Sequence, residues 1–358
     1  MPKLLKPILC ELRSDRLIYG LILLYIVLTN AILLPVGHVF PELYVEYFSS
    51  LVTLDIMVLP AIVLAALLLR SVIADPKRPS AWVMAFFDRQ RIARIVAGFA
   101  LLVALVPFMA TFTAMKSFIG LSGFKADTQL ADFDRWLHFG VDPPVFLNNL
   151  LSDAHAWRIL TFFYGPGWML WVNGFVFWMA VAAPRADVRK RFFVGYIFAW
   201  AILGNVVAWL VVSAGPAFFA EVAGDTTRFA SVLSALDAHR PPSGMGIRDV
   251  QIYLWELYIT RSAGFGMGIS AFPSVHLAMV TLCALTAAEI NRHLAYAGAA
   301  VVFLIQIGAV LFGWHYAIDG YFSIATMVGV WLIFFHTRSL SRPSSGSVDV
   351  ASDLARSA

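Results

Sequence analysis

SAFPSVHLAMVTLCALTAAEINRHLAYAGAAVVFLIQIGAVLFGWHYAIDG, residues 270–320, is the stretch that decides the fold. Pro273 suits the first turn of a helix, where its missing N–H group leaves no hydrogen bond unmade. Polar residues 291–293 then separate two apolar helical legs, each about 27 Å long at 1.5 Å per residue. A hairpin with equal legs returns the chain to the depth at which it left. The spacing therefore predicts that His276 and His315, 39 residues apart, lie side by side.

The composition indicates a membrane protein. The chain has 358 residues, of which 60% are hydrophobic and only 13% are charged. Several nearly uncharged stretches are about 20 residues long, the length of a helix that crosses a bilayer. Open sheets cannot span lipid, so these stretches predict an all-α polytopic helix bundle. We expect about eight transmembrane helices, at roughly 17–36, 51–72, 95–114, 160–183, 192–213, 273–290, 294–312 and 317–336.

The basic residues predict the orientation of the chain. With the N-terminus in the cytoplasm, 18 of the 26 Lys and Arg residues fall on the cytoplasmic side and 8 on the other. This excess is typical of cytoplasmic loops, so we expect both termini inside. A net charge of +4 distributed in this way gives no reason to expect a nucleic-acid partner. The histidine pair then falls on the extracytoplasmic side, periplasmic or lumenal.

Two long connections, 115–159 and 214–272, also fall on the outer side. The first contains ADTQLADFDRWLHFGVDP, residues 126–143, whose apolar residues recur at helical spacing. This pattern predicts a short helix that lies in the membrane interface. The second connection is long and rich in Gly and Pro, and we expect it to cover the site as a lid.

Three aspartates of the first connection, Asp127, Asp132 and Asp134, invite a metal-site interpretation. No His or Glu cluster accompanies them, however. We therefore favour a solvated interfacial helix and expect no metal.

His315 and Asp319 lie four residues apart and so share one helix face. A carboxylate in this position holds the proton on one ring nitrogen and leaves the other nitrogen free as a nucleophile or base. His276 on the neighbouring helix can then act as an acid. Ser274, with the free amides at the start of its helix, can bind an anionic oxygen. One nucleophile, one acid and one anion-binding group together indicate phosphoryl transfer.

The two motifs, PSVH at 273–276 and HYAID at 315–319, resemble the second and third signature motifs of the type 2 phosphatidic acid phosphatase superfamily. The context AFPSVH with GWHYAIDG is more similar to the inositol phosphorylceramide synthase branch, whose members move phosphorylated headgroups between lipids. The segment 126–143 also resembles that branch. The resemblance covers residues 110–336 and leaves out the first two helices.

The span pattern and composition predict a domain organisation, and the resemblance implies a mechanism. Residues 1–94 would form two transmembrane helices and a basic loop, 95–336 the catalytic membrane core, and 337–358 a disordered tail. His315 would attack phosphorus and become a phosphohistidine, Asp319 would orient it, and His276 would protonate the leaving group. A lipid alcohol or water would then accept the group from the phospholipid donor. The family uses no metal for this chemistry, so neither a metal nor another cofactor is implied.

The sequence departs from the family pattern in its cations. The family often carries Ser-Arg six to seven residues before the third-motif histidine, where this chain has Gly308 and Ala309. The first motif is also incomplete, because Lys116 is followed six residues later by Gly-Phe rather than Arg-Pro. We expect Lys116 and Arg261 to bind the phosphate. The six outer-side candidates are Lys116, Arg135, Arg228, Arg240, Arg248 and Arg261. So few cations favour a phosphodiester, and hence a transferase, over a dianionic monoester.

A second class of function stays open. A lipid transporter, flippase or scaffold with the same fold would also be a polytopic helix bundle. A transporter is expected to carry broken or charged helices near the bilayer midplane. The first five predicted spans hold very few charged residues, and the ionisable groups collect at one rim. The pattern therefore favours an enzyme, and replacement of His315 by alanine discriminates the two.

Overall fold

The computed structural model describes residues 2–241 and 244–339, and within these ranges every regular element is a helix. Three of the helices contain wider, π-helical turns, at Val52–Val58, Phe163–Gly167 and Phe198–Val207. We number the helices in chain order as α1 Pro2–Ser14, α2 Arg16–Val36, α3 Pro41–Ala74, α4 Pro79–Phe86, α5 Arg89–Gly120, α6 Asp127–Leu137, α7 Pro143–Leu150, α8 154–182, α9 Ala186–Leu210, α10 Phe219–Ala223, α11 Ala230–Ala238, α12 Ile247–Thr260, α13 Val275–Ala288, α14 Arg292–Leu311 and α15 Ala317–Ser339.

The all-α class predicted from composition is confirmed. Five helices of the described chain are long and apolar enough to cross a membrane: α2, α3, α5, α9 and α14. The protein is therefore an integral membrane protein. Helices lie at all eight predicted span positions, but α13 and the apolar part of α15, Ala317–Ile333, are shorter than a full span. The exact number of spans and the cytoplasmic position of both termini stay predictions.

The predicted disordered tail, 337–358, falls almost wholly outside the described residues. Its first three residues, 337–339, belong to α15.

The core of the bundle is built around α13. This helix contacts α8, α9, α14 and α15, and its residues from Leu277 to Cys283 are almost completely buried. A helix that is apolar on all sides is stable only where neighbours cover all of its faces. The N-terminal helices α2 and α3 lie at the edge, and most of their large apolar side chains are exposed to the surroundings. In lipid such exposure carries no hydrophobic penalty.

Helix α5 joins the N-terminal helices to the core. It packs against α2 and α3 on one side and against α8 on the other. The contact with α8 is very close at Gly98, where a Cβ atom would lie 2.5 Å from the carbonyl oxygen of Ala180. Small residues allow this kind of backbone approach between membrane helices. The position of α5 therefore depends on a glycine at residue 98.

We predict that Gly98→Ala destabilises the bundle, because its methyl group would meet the Ala180 backbone, which cannot move alone. Overpacking of this kind costs about 1–3 kcal/mol. The measurement is the midpoint of thermal unfolding in detergent micelles. Gly174→Ala in α8 is the matched control, since no atom lies within 4 Å of its added Cβ, and its midpoint is expected to be unchanged or raised. Equal midpoints for both variants would contradict the close contact.

Candidate active site

The α13–α14 hairpin brings the two predicted histidines together. The ring centroids of His276 and His315 are 6.4 Å apart, and both rings line one cavity. The legs differ in length, with 14 residues in α13 and 20 in α14. His276 is in the first turn of α13 and His315 follows the end of α14, so both still lie at the open end of the hairpin. The predicted juxtaposition is confirmed.

The backbone determines which nitrogen of His315 carries its proton. Nδ1 lies 2.7 Å from the carbonyl oxygen of Ala271 and 3.4 Å from Oδ2 of Asp319. A carbonyl oxygen can only accept a hydrogen bond, so Nδ1 is the protonated nitrogen and donates to it. The lone pair of the neutral ring is then on Nε2, the nitrogen suited to nucleophilic attack. Sequence reasoning assigned this role to Asp319 alone and missed Ala271, because a backbone carbonyl leaves no mark in a residue pattern.

Asp319 fixes the segment around His315. Its carboxyl is completely buried, and Oδ2 accepts a hydrogen bond from the backbone N–H of Tyr316 at 2.9 Å. Its backbone carbonyl accepts from the N–H of Ser274 at 3.3 Å, which ties the two histidine motifs together. Ser274 itself is fully buried and caps α13, with its hydroxyl accepting from the amide of Leu277 at 3.4 Å. The predicted phosphate-binding serine is therefore placed as a helix cap behind the cavity wall.

Aromatic rings hold His276. Tyr164 is stacked on it, with centroids 5.2 Å apart and planes 8° apart, and Trp168 lies 4.4 Å away. Tyr164 also packs against Gly308, where a Cβ atom would come within 3.3 Å of its ring. Gly308 is one of the two residues at the position where the family often has Ser-Arg. The space of a longer side chain is thus taken by Tyr164, which no motif indicated.

The histidine pair lies at one end of a deep, largely apolar cavity of about 480 Å³. Along α5 its wall runs from Lys116, beside the histidines, to Leu102, which is about 20 Å at 1.5 Å per residue. Helices α3, α8 and α9 form the other walls, and each contributes residues from its π-helical turns. Such turns occur frequently at functional sites. Residues of α12 and of the following segment 265–270 also line the cavity, and they belong to the connection predicted to form a lid.

The PAP2 superfamily profile matches residues 128–334, which is more than half of the chain. The chain belongs to the PAP2 superfamily. Its members are generally phosphatases or phosphotransferases. No functionally curated protein and no solved structure matches the sequence. The inositol phosphorylceramide synthase branch is thus not shown, and Lys116 and α3 lie outside the matched segment.

Two aspartates of α6 accept hydrogen bonds from residues of the third motif, 315–319. Asp134 accepts hydrogen bonds from the backbone N–H groups of Ala317 (3.0 Å) and Ile318 (3.1 Å), at the start of α15. Asp127 accepts from the Tyr316 hydroxyl at 3.0 Å and from two amides of the 213–215 segment. Burial raises the pKa of the Tyr316 phenol well above its usual value, so this hydroxyl remains a donor.

These contacts correct the prediction for the aspartate trio. Asp127 and Asp134 are 2% and 1% exposed, so they are not on a solvated face. Asp132 is the exposed member and pairs with Arg228 at 2.6 Å. In the described residues no group of three or more His, Cys, Asp or Glu side chains is arranged to hold a metal. The alternation of exposed and buried aspartates could not be read from the sequence, because it depends on where α15 begins.

The six cations predicted to lie on the outer side separate into paired and unpaired groups. Four of the six candidates form ion pairs with aspartates of the two long connections, 115–159 and 214–272: Arg135, Arg228, Arg240 and Arg248. Arg261 is exposed and lines a separate small cavity with His38 and Ser117. Lys116 lines the main cavity, and within the described part of the chain it has no carboxylate partner. Of the described residues in that cavity wall, Lys116 is the only Lys or Arg.

We predict that Asp134→Asn destabilises the site, because one of its two acceptor oxygens is replaced by an NH2 group that faces a backbone N–H. The expected loss is about 1–3 kcal/mol of unfolding free energy, with a matching fall in activity. Thermal unfolding in detergent measures the first. Asp132→Asn on the same helix removes only an exposed ion pair and should cost less than about 1 kcal/mol. The idea fails if the two variants behave alike.

Proposed function

We propose that this PAP2 protein is a lipid phosphotransferase or phosphatase that works through a phosphohistidine on His315. The observation that carries the proposal is the histidine pair at the end of an apolar cavity about 20 Å deep. Such a cavity fits a hydrocarbon chain whose phosphate lies beside the two rings. A soluble phosphate ester would leave most of this apolar wall uncovered.

In the first step, Nε2 of His315 attacks phosphorus and a P–N bond forms while the P–O bond to the leaving group breaks. The leaving oxygen takes a proton from His276, whose ring centroid lies 6.4 Å from that of His315. Ala271 and Asp319 hold Nδ1–H of His315 and stabilise the positive charge that develops on the ring.

In the second step, the hydroxyl of an acceptor attacks the phosphohistidine. Its O–H proton goes to His276, a new P–O bond forms and the P–N bond breaks, which restores both histidines. A lipid alcohol as acceptor makes the protein a transferase, and water makes it a phosphatase.

The charge of the site supports transfer over hydrolysis of a monoester. Lys116 is the one Lys or Arg among the described residues of the cavity wall. A single cation matches a phosphodiester with about one negative charge better than a monoester with about two. Residues of α12 and 265–270 also line the cavity, and a lid formed by them would favour a lipid acceptor by limiting the access of bulk water.

The distribution of Lys and Arg supports an extracytoplasmic site. The end of α5 that carries Lys116 is the end opposite to the basic loops at 70–94. If those loops are cytoplasmic, the histidine pair faces the periplasm, lumen or cell exterior.

We predict that His315→Ala abolishes movement of lipid phosphate. The purified protein in mixed-lipid vesicles is supplied with lipids labelled in the headgroup phosphate, and the label is followed into new lipids and into water. Wild type should also show label bound to histidine after a rapid quench. His293→Ala, an exposed histidine at the start of α14, is the control and should keep full activity. A wild type that turns over no lipid but still moves lipids between leaflets would favour a transporter.

Lys116 and Arg261 provide a second, sharper comparison. We expect Lys116→Met to lower kcat/KM by about tenfold or more, because a charged hydrogen-bond donor to the phosphate is lost. Arg261→Met should stay within about twofold, since its side chain lies outside the main cavity. Steady-state kinetics on the best lipid of the panel measure both. The opposite ranking would show that the phosphate lies nearer to Arg261.

A further inference from the structure

Asp55 is an unpaired carboxyl inside the membrane helix α3. Its side chain is 8% exposed and lines the same cavity as the histidine pair. Within the described ranges it forms neither a hydrogen bond nor an ion pair. Ionisable residues in membrane spans are costly, and by default they mark a functional site. None of the steps proposed above uses Asp55.

The residues around Asp55 show how far it lies from the histidine pair along the cavity. Its carboxyl is close enough to the Tyr196 phenol to interact with it electrostatically, and the Tyr196 hydroxyl contacts Sδ of Met109 at 3.2 Å. Met109 lies seven residues before Lys116 on α5, which is about 10 Å along the helix.

A second route along α3 gives a similar depth. The Tyr47 hydroxyl bonds Thr113 at 2.6 Å, less than one turn from Lys116, and Asp55 follows Tyr47 by eight residues, or about 12 Å. Both estimates place Asp55 roughly 10–15 Å from Lys116 along the helix axes.

The surroundings of Asp55 make it a specific acceptor. Of the described residues that line the cavity, it is the only carboxylate, as Lys116 is the only Lys or Arg. Between them the wall is mostly aliphatic and aromatic. Asp55 also lies in the π-helical turn Val52–Val58, which widens α3 where it faces the cavity. A polar atom in such a place is costly to leave without a hydrogen bond, and a ligand that brings a donor to it satisfies it.

We propose that Asp55 is a second substrate-binding point that accepts a hydrogen bond from a hydroxyl on the apolar part of the lipid, about 10–15 Å from phosphorus. This inference rests on the proposed function for the position of the phosphate beside His276 and His315. It assigns to α3, which lies outside the PAP2-matched segment, a role in the choice of lipid.

The test is a binding comparison with full-length protein in lipid nanodiscs. The probes are a phosphodiester lipid and a set of copies that each carry one hydroxyl, stepped along one acyl chain. Each displaces a fluorescent version of the parent lipid. For wild type we expect one hydroxyl position to bind about three- to tenfold tighter than the parent, the gain of one net hydrogen bond.

Three variants make the comparison specific. Asp55→Leu should bind parent and hydroxylated lipids equally, because the acceptor is gone. Asp55→Asn keeps one acceptor oxygen and should retain part of the preference. Met57→Leu, in the same π-helical turn with a side chain that is 62% exposed, is the control and should keep the full preference.

The outcomes separate the two proposals. Equal binding of all lipids by wild type, or a preference that persists in Asp55→Leu, overturns the role of Asp55. A hydroxyl preference that follows Asp55 without any transfer of labelled phosphate supports the binding point and rejects the catalytic proposal. Failure of wild type to bind any of the lipids rejects both. A large drop in the thermal midpoint of Asp55→Leu would overturn the inference, since a ligand-binding carboxyl without a protein partner can be removed without loss of stability.

Discussion

The hydrogen bonds of Asp134 to the first amides of α15 are the interaction on which the site depends most. The N–H groups at a helix start have no partner within the helix, and in a membrane-embedded site few waters are present to satisfy them. Asp134 satisfies two of them, those of Ala317 and Ile318. This contact fixes where α15 begins, and Asp319 lies in its first turn. The carboxyl of Asp319, and with it the His315 ring, takes its direction from a residue more than 180 positions earlier in the chain.

The candidate site also depends on the positive charge that it can offer to a phosphate. A phosphate next to two histidines needs positive charge, yet four of the six cations considered as phosphate ligands already pair with aspartates. In such pairs the aspartate cancels much of the positive potential that the arginine could offer to a ligand. Lys116 is different because the cavity wall is largely apolar and Lys116 has no carboxylate partner among the described residues, and a charge in such surroundings interacts more strongly with a bound anion. One such lysine can do the work for which a wetter site needs several, and its isolation limits the total negative charge that the site tolerates.

The sequence was informative where spacing is local. Helix periodicity and span length predicted the all-α bundle, and the expected hairpin of two apolar helices predicted the meeting of His276 and His315. Spacing could not predict contacts between segments far apart in the chain. Ser274, expected to bind phosphate, turned out to cap its own helix, while the acceptor for His315 is the Ala271 carbonyl, which has no side-chain signature. Asp55 was overlooked for a related reason, since a single carboxyl in an apolar run has no motif around it.

Under the proposed function, the protein has a part that carries the chemistry and a part that shapes the substrate space. Both histidines, Asp319 and the supporting Asp134 lie within the PAP2-matched segment. One wall of the cavity, with Lys116 and Asp55, comes from α3 and α5, which precede it. The close approach of α5 to α8 at Gly98 holds that wall against the catalytic helices. If the proposed histidine chemistry and the proposed role of Asp55 hold, the same histidines can serve different lipids by a change of the N-terminal wall, because the depth of its polar group would then select the lipid.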